Sequence, residues 1–157
     1  MRKYCLSLLL LLLTLVSNAV EPPKREIRGV WLTTVYGLDW PRKPATTETG
    51  RKAQQRDVCD ILDRLQDANF NTVFLQVRMR GDVIWRSAIE PASKTFSGKY
   101  GMMPGYDPLA FVVDECHKRG MECHAWFVTF PLGTDKSVKE QGKLSVVRRQ
   151  PKLCKRH

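Results

Sequence analysis

The segment FNTVFLQVRMRGD, residues 70–82, carries the strongest strand signal in this sequence. Residues 72–77 are rich in β-branched, aromatic and apolar side chains, a composition that favours a β-strand. Because side chains alternate along a strand, every second residue shares a face, and one face is purely apolar: Val73, Leu75 and Val77. The opposite face becomes polar toward the C-terminal end of the strand: Phe74, Gln76 and Arg78.

Two similar strand segments lie on either side, EIRGVWLTT at 26–34 and ECHAWFV at 122–128. Apolar residues recur at helical spacing in residues 51–68 and 108–119, which predicts an amphipathic helix after each of the first two strands. The resulting β-α-β-α-β order predicts an α/β fold with a parallel sheet and right-handed crossovers.

The second face of each predicted strand carries large or polar residues: Trp31, Thr33, Gln76, Arg78, His124 and Trp126. A sheet covered by helices on both sides would be apolar on both faces. The pattern instead fits the interior of a (β/α)8 TIM barrel, with the site at its C-terminal mouth and Trp31 in the core. A complete barrel takes about 250 residues, so we expect only its N-terminal β-α-β-α-β portion, that is, a truncated barrel.

Residues 1–19 have the pattern of an export signal. Arg2 and Lys3 precede an apolar run at 6–16, and Ser17 and Ala19 are small residues suited to a signal peptidase. The run is shorter than the roughly 20 residues of a membrane-spanning helix. We therefore expect cleavage near Ala19, a periplasmic or extracellular location, and no stable membrane anchor.

The net charge of +10 is concentrated in residues 134–157, which contain eight Lys or Arg and two acids. This segment contains no Phe, Tyr or Trp to stack on bases, so nucleic-acid binding is not expected. We predict a solvated basic tail, or the start of the next βα loop, after a partial barrel at 20–133. Binding of an anionic polymer through the tail is an alternative.

Beyond the signal, the cysteines are Cys59, Cys116, Cys123 and Cys154, and their spacing indicates no disulfide framework. A bridge between Cys116 and Cys123 is sterically conceivable, although small apolar filling is the default interpretation. The run CHKRGMECH also places two histidines beside these thiols. Cys123 and His124 face opposite sides of one predicted strand, so no metal site is expected. The sequence contains no nucleotide or phosphate motif, so no cofactor is expected either.

Three ordered motifs carry a family resemblance: RGVWLTTVYGLDWP at 28–41, FNTVFLQVRMRGD at 70–82 and PGYDPLAFVVDECHKRGMECHAWF at 104–127. Over about residues 25–130 they resemble the glycosyl hydrolase-like 10 family. The resemblance implies an exported bacterial TIM-barrel glycosidase acting on cell-wall glycans, including peptidoglycan stripped of its peptides. The family's later strands, with the acidic motif after the fourth, have no counterpart here, and Met79 stands where a proline is common.

Glycoside hydrolysis normally uses two carboxyl groups that flank the scissile bond. Asp82 follows the second strand and Asp39 the first, so both belong to the predicted mouth. Arg78 and Arg80 are near Asp82 in sequence, and positive charge lowers the pKa of a carboxyl group. We therefore expect Asp82 to be ionised and to act as a positioning group or base, or else as a structural partner of an arginine. Asp39 either contacts substrate or caps a turn.

The remaining candidates are expected to bind the glycan: Gln76, Arg78, Arg80, His124 and Trp126. Arginine donates in a fork that suits hydroxyls and carboxylates, and an indole face can stack on a sugar ring. Each has a structural alternative, either neutralising buried acids or packing the barrel interior. We expect Glu90 and Asp107 to be structural, with Asp107 capping a helix.

The sequence thus predicts a glycoside hydrolase-like protein that is inactive as a 157-residue fragment and active only when the barrel is completed. The alternative is a non-catalytic carbohydrate-binding or inactive truncated product.

Overall fold

The protein is described here by a computed structural model that covers residues 26–155. Within that range lies a three-stranded parallel sheet in the order β1-β2-β3, which confirms the predicted α/β arrangement. The strands are β1 (Gly29–Leu32), β2 (Thr72–Arg78) and β3 (Glu122–Phe127). β1 is shorter than the predicted strand at 26–34. The predicted export signal at 1–19 lies outside the described residues.

Helices and short 3₁₀ turns follow the strands. The helices are α1 (Glu48–Asp67), α2 (Lys94–Ser97), α3 (Pro108–Lys118), α4 (Asp135–Gln141) and α5 (Val146–Arg149). The 3₁₀ turns are Val35–Gly37, Gly142–Leu144 and Pro151–Leu153. No helix within residues 26–155 is long and apolar enough to cross a membrane.

The two long helices begin at side-chain caps. α1 starts three residues before the predicted 51 because the Thr47 hydroxyl accepts a hydrogen bond from the Gly50 amide at 3.1 Å. α3 begins as predicted, where the Asp107 carboxylate accepts from the Ala110 amide at 3.1 Å. Gly120 follows α3 with a φ of 68°, a left-handed conformation that glycine adopts without strain, and turns the chain into β3.

The apolar core lies between one face of the sheet and helices α1 and α3. Its fully buried members include residues from the apolar face of β2 and from α1 and α3: Val58, Leu62, Val73, Leu75, Val77, Val112 and Cys116. Each of these side chains is completely buried. Burying an aliphatic side chain of this size stabilises the fold by about 1.5–3 kcal/mol, so this face fixes how the sheet packs.

The other face of the sheet is aromatic and open. Trp31 stacks on Phe74 with ring centroids 4.8 Å apart and meets the edge of Trp126 at 5.0 Å. Trp31 remains 58% exposed, so the expectation that it belongs to the core is wrong for the described chain. It points away from α1 and α3, which cover only the opposite face.

The segment at 83–107, which lies between β2 and α3, is tied to the body of the domain. It contains α2, and Phe96 packs against the fully buried Trp40 with ring centroids 4.9 Å apart. The indole of Trp40 also donates to the Gln54 carbonyl at 2.8 Å. Trp40 is therefore a core residue although it lies outside the predicted strands and helices.

The segment after β3 is not a solvated tail throughout. α4 begins at a capping box in which the Thr134 amide donates to the Ser137 hydroxyl at 2.8 Å. Its polar residues Ser137 and Gln141 are buried, and the Gln141 amide donates to the Arg80 carbonyl at 3.3 Å. The basic side chains of residues 134–155 are exposed, as expected of a solvated segment, whereas Ser137 and Gln141 are buried because α4 packs on the loop that follows β2.

Candidate functional site

A pocket of about 540 Å³ opens beyond the C-terminal ends of the strands. Four segments build its walls, namely the loops after β1 and β2, the region of α2, and α4. Its chemistry-bearing side chains are Tyr36, Arg42, Arg80, Asp82, Lys94, Tyr100, Lys136 and Glu140. Side chains that follow successive parallel strands therefore meet in one place.

Asp82 is the most buried carboxyl group of this pocket, with 5% of its surface exposed. Its Oδ1 accepts a hydrogen bond from the Arg80 amide at 3.3 Å. Burial raises the pKa of Asp82, and this hydrogen bond, the Ser93 side chain and the Arg80 charge offset only part of that rise. The expectation that nearby arginines lower the pKa of this carboxyl is therefore wrong in direction, because desolvation outweighs them.

Arg78 is engaged away from the pocket by Glu90. Its Nε and Nη2 atoms donate to the two Glu90 carboxylate oxygens at 2.7 and 2.6 Å. Its Nη1 atom donates to the carbonyls of Val128 and Thr129 at 2.6 and 3.1 Å. Arg78, which was predicted to bind the glycan, thus joins the ends of β2 and β3 to the segment between β2 and α3. Glu90 is structural, as predicted.

Arg80 lines the pocket. Its guanidinium carbon lies 4.2 Å from the centre of the Tyr36 ring, and Nη1 donates to the Tyr36 hydroxyl. A cation held over an aromatic ring keeps its charge while its orientation is restricted. Arg80 and Tyr36 therefore form one ordered wall beside Asp82.

Cationic side chains predominate around the pocket. Arg42, Arg80, Lys94 and Lys136 line it together with two carboxyl groups. Lys94 forms an ion pair with Glu140, which lowers the Glu140 pKa, and lies 5.1 Å from the centre of the Tyr100 ring. The net positive charge of the pocket increases when the Asp82 carboxyl is protonated, and the raised pKa of Asp82 extends protonation to higher pH. The arrangement favours a ligand that carries negative charge.

Gln76 and Asp39 fix the turn after β1. The Gln76 Oε1 atom accepts from the amides of Thr34 and Val35 at 3.0 and 2.9 Å. The Asp39 Oδ2 atom accepts from the amide and hydroxyl of Thr33 at 2.8 and 2.7 Å. The turn-capping interpretation of Asp39 is confirmed, and both side chains orient the segment that presents Tyr36.

His124 and Trp126 lie on the open aromatic face of the sheet. The His124 ring is 5.4 Å from Phe74, and its Nε2 atom lies 2.9 Å from a Glu122 carboxylate oxygen. Cys123 packs on the opposite, helix-covered face. Among residues 26–155, no group of His, Cys, Asp and Glu has the arrangement of a metal site.

Among the lining residues of this pocket, only Arg80 and Asp82 were predicted as site residues from the sequence. The other chemistry-bearing lining residues were missed because they lie outside the predicted strands and helices: Tyr36, Arg42, Lys94, Tyr100, Lys136 and Glu140. The capping residues were the available signal: Ser93 begins α2, and Thr134 with Ser137 begins α4.

Residues 26–157 match the family model described as glycosyl hydrolase-like 10, and the match includes the basic segment after β3. Over 111 residues, 68% of its length, the chain is 50% identical to glycosyl hydrolase DigH of Escherichia coli (strain K12). Over 103 residues, 66% of its length, it is 41% identical to glycosyl hydrolase YngK of Bacillus subtilis (strain 168). The matched regions are 25% and 20% of those two proteins, so the chain spans at most a quarter of these relatives.

Proposed function

The chain belongs to the glycosyl hydrolase-like 10 family, and from this we propose that it supplies part of a glycosidase that cleaves O-glycosidic bonds. The observation that carries the proposal is Asp82, a buried carboxyl group with a raised pKa that lines a pocket beyond the strand ends. Such a group keeps its proton to a higher pH than an exposed aspartate does, and glycosidases need one protonated carboxyl group.

In this mechanism Asp82 donates its proton to the departing glycosidic oxygen. The hydrogen bond from the Arg80 amide orients the carboxyl. Arg80, fixed against Tyr36, binds the sugar beside it. Glu140 is a poor proton donor because its ion pair with Lys94 lowers its pKa. The second catalytic carboxylate is proposed to come from the part of the relatives that lies beyond the matched region.

We further propose that β1, β2 and β3 are the first three strands of a (β/α)8 barrel. The strands are parallel and ordered as they occur in the chain, and the helices cover only one face. The open aromatic face, which carries Trp31 and Trp126, then becomes the barrel interior.

The proposed substrate is a cell-wall glycan of the peptidoglycan type, stripped of its peptides. Removing the peptides leaves carboxylates on the sugar chain, and the pocket offers Arg42, Arg80, Lys94 and Lys136 to such groups. Arginine in particular binds carboxylates through two parallel hydrogen bonds. The proposed export signal at 1–19 would deliver the protein to the compartment that contains this polymer.

A second candidate is non-catalytic carbohydrate binding through the aromatic face. The exposed indole of Trp31 favours it, because indole faces stack on sugar rings. The two candidates differ in the effect of Trp31→Ala, which removes this platform and leaves the pocket around Asp82 in place.

The test is glycan cleavage by the full-length protein that contains this chain, using purified glycan strands without peptides. We expect Asp82→Asn to lower kcat by about 100-fold or more while binding is retained. Asp114→Asn on the exposed side of α3 is the matched control and should cleave normally. Wild-type turnover by folded Asp82→Asn would refute the catalytic role. Binding without turnover by the wild type, abolished by Trp31→Ala, would favour the second candidate.

A further inference from the structure

A second groove, of about 430 Å³, lies beside the pocket described above. One of its walls is the segment 85–92, and Leu144 and Arg149 from the segment after α4 belong to the other. The walls approach closely at Gly101, where an added Cβ would lie 2.6 Å from the Leu144 Cδ1 atom. Tyr100 lines the first pocket and Gly101 lines the groove. Consecutive Cα atoms are about 3.8 Å apart, so the two depressions are neighbours on one surface.

The groove has an apolar surface built around Trp85. This side chain is half-buried, and its ring packs against Phe127 with centroids 5.8 Å apart, which holds one side of the indole. The indole N–H donates to no group within residues 26–155. Ile89, in the same wall, is 73% exposed. An indole supplies a flat apolar surface for a sugar ring, and its N–H can donate to a sugar hydroxyl.

The charge of the groove is positive. Arg86 and Arg149 line it with exposed side chains, and neither side chain forms an ion pair or hydrogen bond within residues 26–155. The lining carboxylate, Glu90, already accepts from Arg78 at 2.7 and 2.6 Å. The charges of the two lining arginines are therefore uncompensated, which favours an anionic ligand. Guanidinium groups bind carboxylates through two parallel hydrogen bonds.

Backbone hydrogen bonds fix the wall that carries Trp85. The Val83 amide donates to the Pro91 carbonyl at 3.0 Å, and the Ser93 amide donates to the Val83 carbonyl at 2.8 Å. Within the segment, the Ser87 hydroxyl accepts from the Ile89 amide at 3.0 Å. A groove with ordered walls binds a ligand without first paying the entropy of ordering a loop.

We propose that this groove is a second glycan subsite, which binds a carboxylate-bearing sugar of the same strand whose scissile bond lies in the pocket around Asp82. The sugar ring stacks on Trp85, and its carboxylate pairs with Arg86 or Arg149. Charge complementarity identifies this occupant, because a strand stripped of its peptides carries carboxylates along its length and both depressions are cationic. The inference rests on the proposed function and adds a preference for long strands to it.

The experiment compares the binding of long and short glycans to the full-length protein that contains this chain. The probes are purified peptide-free glycan strands and the disaccharide prepared from them, and calorimetry gives each affinity. A long strand reaches both depressions, so its second contact is intramolecular, whereas a disaccharide occupies one of them. We expect the wild type to bind the long strands at least about tenfold more tightly.

Arg149→Ala should lower the ratio of long-strand to disaccharide affinity about fivefold, because it removes one carboxylate partner. Arg148→Ala is the matched control, since Arg148 is equally exposed but does not line the groove, and it should leave the ratio unchanged. Trp85→Ala should lower the ratio for strands with reduced carboxyl groups as well, because stacking needs no charge. Where Trp85→Ala fails to fold, the comparison of Arg149→Ala with Arg148→Ala decides the outcome.

Equal affinity of the wild type for long and short glycans would overturn the proposal. Equal losses in Arg148→Ala and Arg149→Ala would overturn it too, because they would indicate a general attraction between a basic surface and a polyanion. A lower Tm of Arg149→Ala with wild-type binding would assign the groove to another part of the protein instead. Turnover measured in parallel separates the two hypotheses. Long strands bound through Arg149 but never cleaved would refute the glycosidase and retain the subsite, whereas cleavage with an unchanged ratio in Arg149→Ala would do the reverse.

Discussion

The Arg78 guanidinium binds the Glu90 carboxylate in a bidentate arrangement, with N–O distances of 2.7 and 2.6 Å. Both side chains are largely buried, with 14% and 13% of their surfaces exposed. Removing one partner of such a pair leaves an uncompensated charge in a poorly solvated place. The end of β2 therefore depends on a residue twelve positions further along the chain.

Glu90→Ala should lower the free energy of unfolding by about 3 kcal/mol, because Arg78 keeps its charge and loses its acidic partner. Chemical denaturation of the full-length protein measures the change. Glu26→Ala, which breaks the exposed ion pair with Arg28, is the matched control and should change stability by less than about 1 kcal/mol. Equal effects of the two substitutions would show that burial does not set the strength of the Arg78–Glu90 pair.

The raised pKa of Asp82 predicts a pH-dependent effect of Asp82→Asn on stability. In the unfolded chain Asp82 ionises near its ordinary pKa of 3.8, whereas the folded protein holds the proton to higher pH. The protonated carboxyl thus favours folding below 3.8, and this contribution is lost as the pH rises from 3.8 through the folded pKa. The stability of Asp82→Asn relative to the wild type should therefore increase as the pH is raised from acid toward neutral. A constant difference in urea midpoint across that range would contradict the raised pKa.

The proposed role of Asp82 as proton donor also predicts how kcat/KM depends on pH. The value of kcat/KM should fall on the alkaline side of a pKa that lies above 3.8, as the carboxyl loses its proton. Initial rates on glycan strands between acid and neutral pH measure this limb. A rate that instead rises through that pKa would assign Asp82 the role of a base.

The cationic side chains that line the pocket predict selectivity for glycans that carry carboxylates. Lys136→Ala should weaken binding of strands that carry carboxylates by about fivefold, or roughly 1 kcal/mol. Binding of a neutral glycan of the same length should be unchanged. Lys139→Ala, one turn further along the exposed surface of α4, is the matched control and should bind both normally. Equal losses on charged and neutral strands would argue against carboxylate recognition.

Gly133 directly precedes the Thr134 cap of α4, and its conformation affects how α4 is held beside the pocket. Its φ of 95° is a left-handed conformation, and a Cβ placed there would lie 2.2 Å from the Ser137 Oγ atom. Gly133→Ala should therefore disturb the α4 cap, increase proteolysis within 134–155 and weaken glycan binding. Limited proteolysis and binding measurements give the two readouts. An unchanged cleavage pattern with wild-type binding would show that the cap is not needed to hold α4.

Alternation and periodicity predicted the strands and long helices because their apolar faces are set by nearby residues. Val73, Leu75 and Val77 are buried for that local reason. The segments at 83–107 and 134–155 are ordered by distant contacts, such as Phe96 against Trp40 and Gln141 against Arg80. Contacts between residues so far apart in the sequence leave no periodic pattern from which they could be predicted.

The electrostatics of the candidate site were the hardest part to predict. Closeness in sequence suggested that Arg78 would neutralise Asp82. Strand geometry directs Arg78 to Glu90 instead, and the surrounding loops bury Asp82. The pKa of a carboxyl group depends on its whole surroundings, and those surroundings come from four separate segments.

The order of strands in the sheet has a consequence for biosynthesis. β2 pairs with β1, and β3 then pairs with β2. The lining residues of the pocket extend from Tyr36 to Glu140. Domains form from the N-terminus onward as the ribosome extends the chain. Sheet pairing and pocket assembly can thus proceed in the order of translation, and the wall that carries Asp82 can form before later residues leave the ribosome.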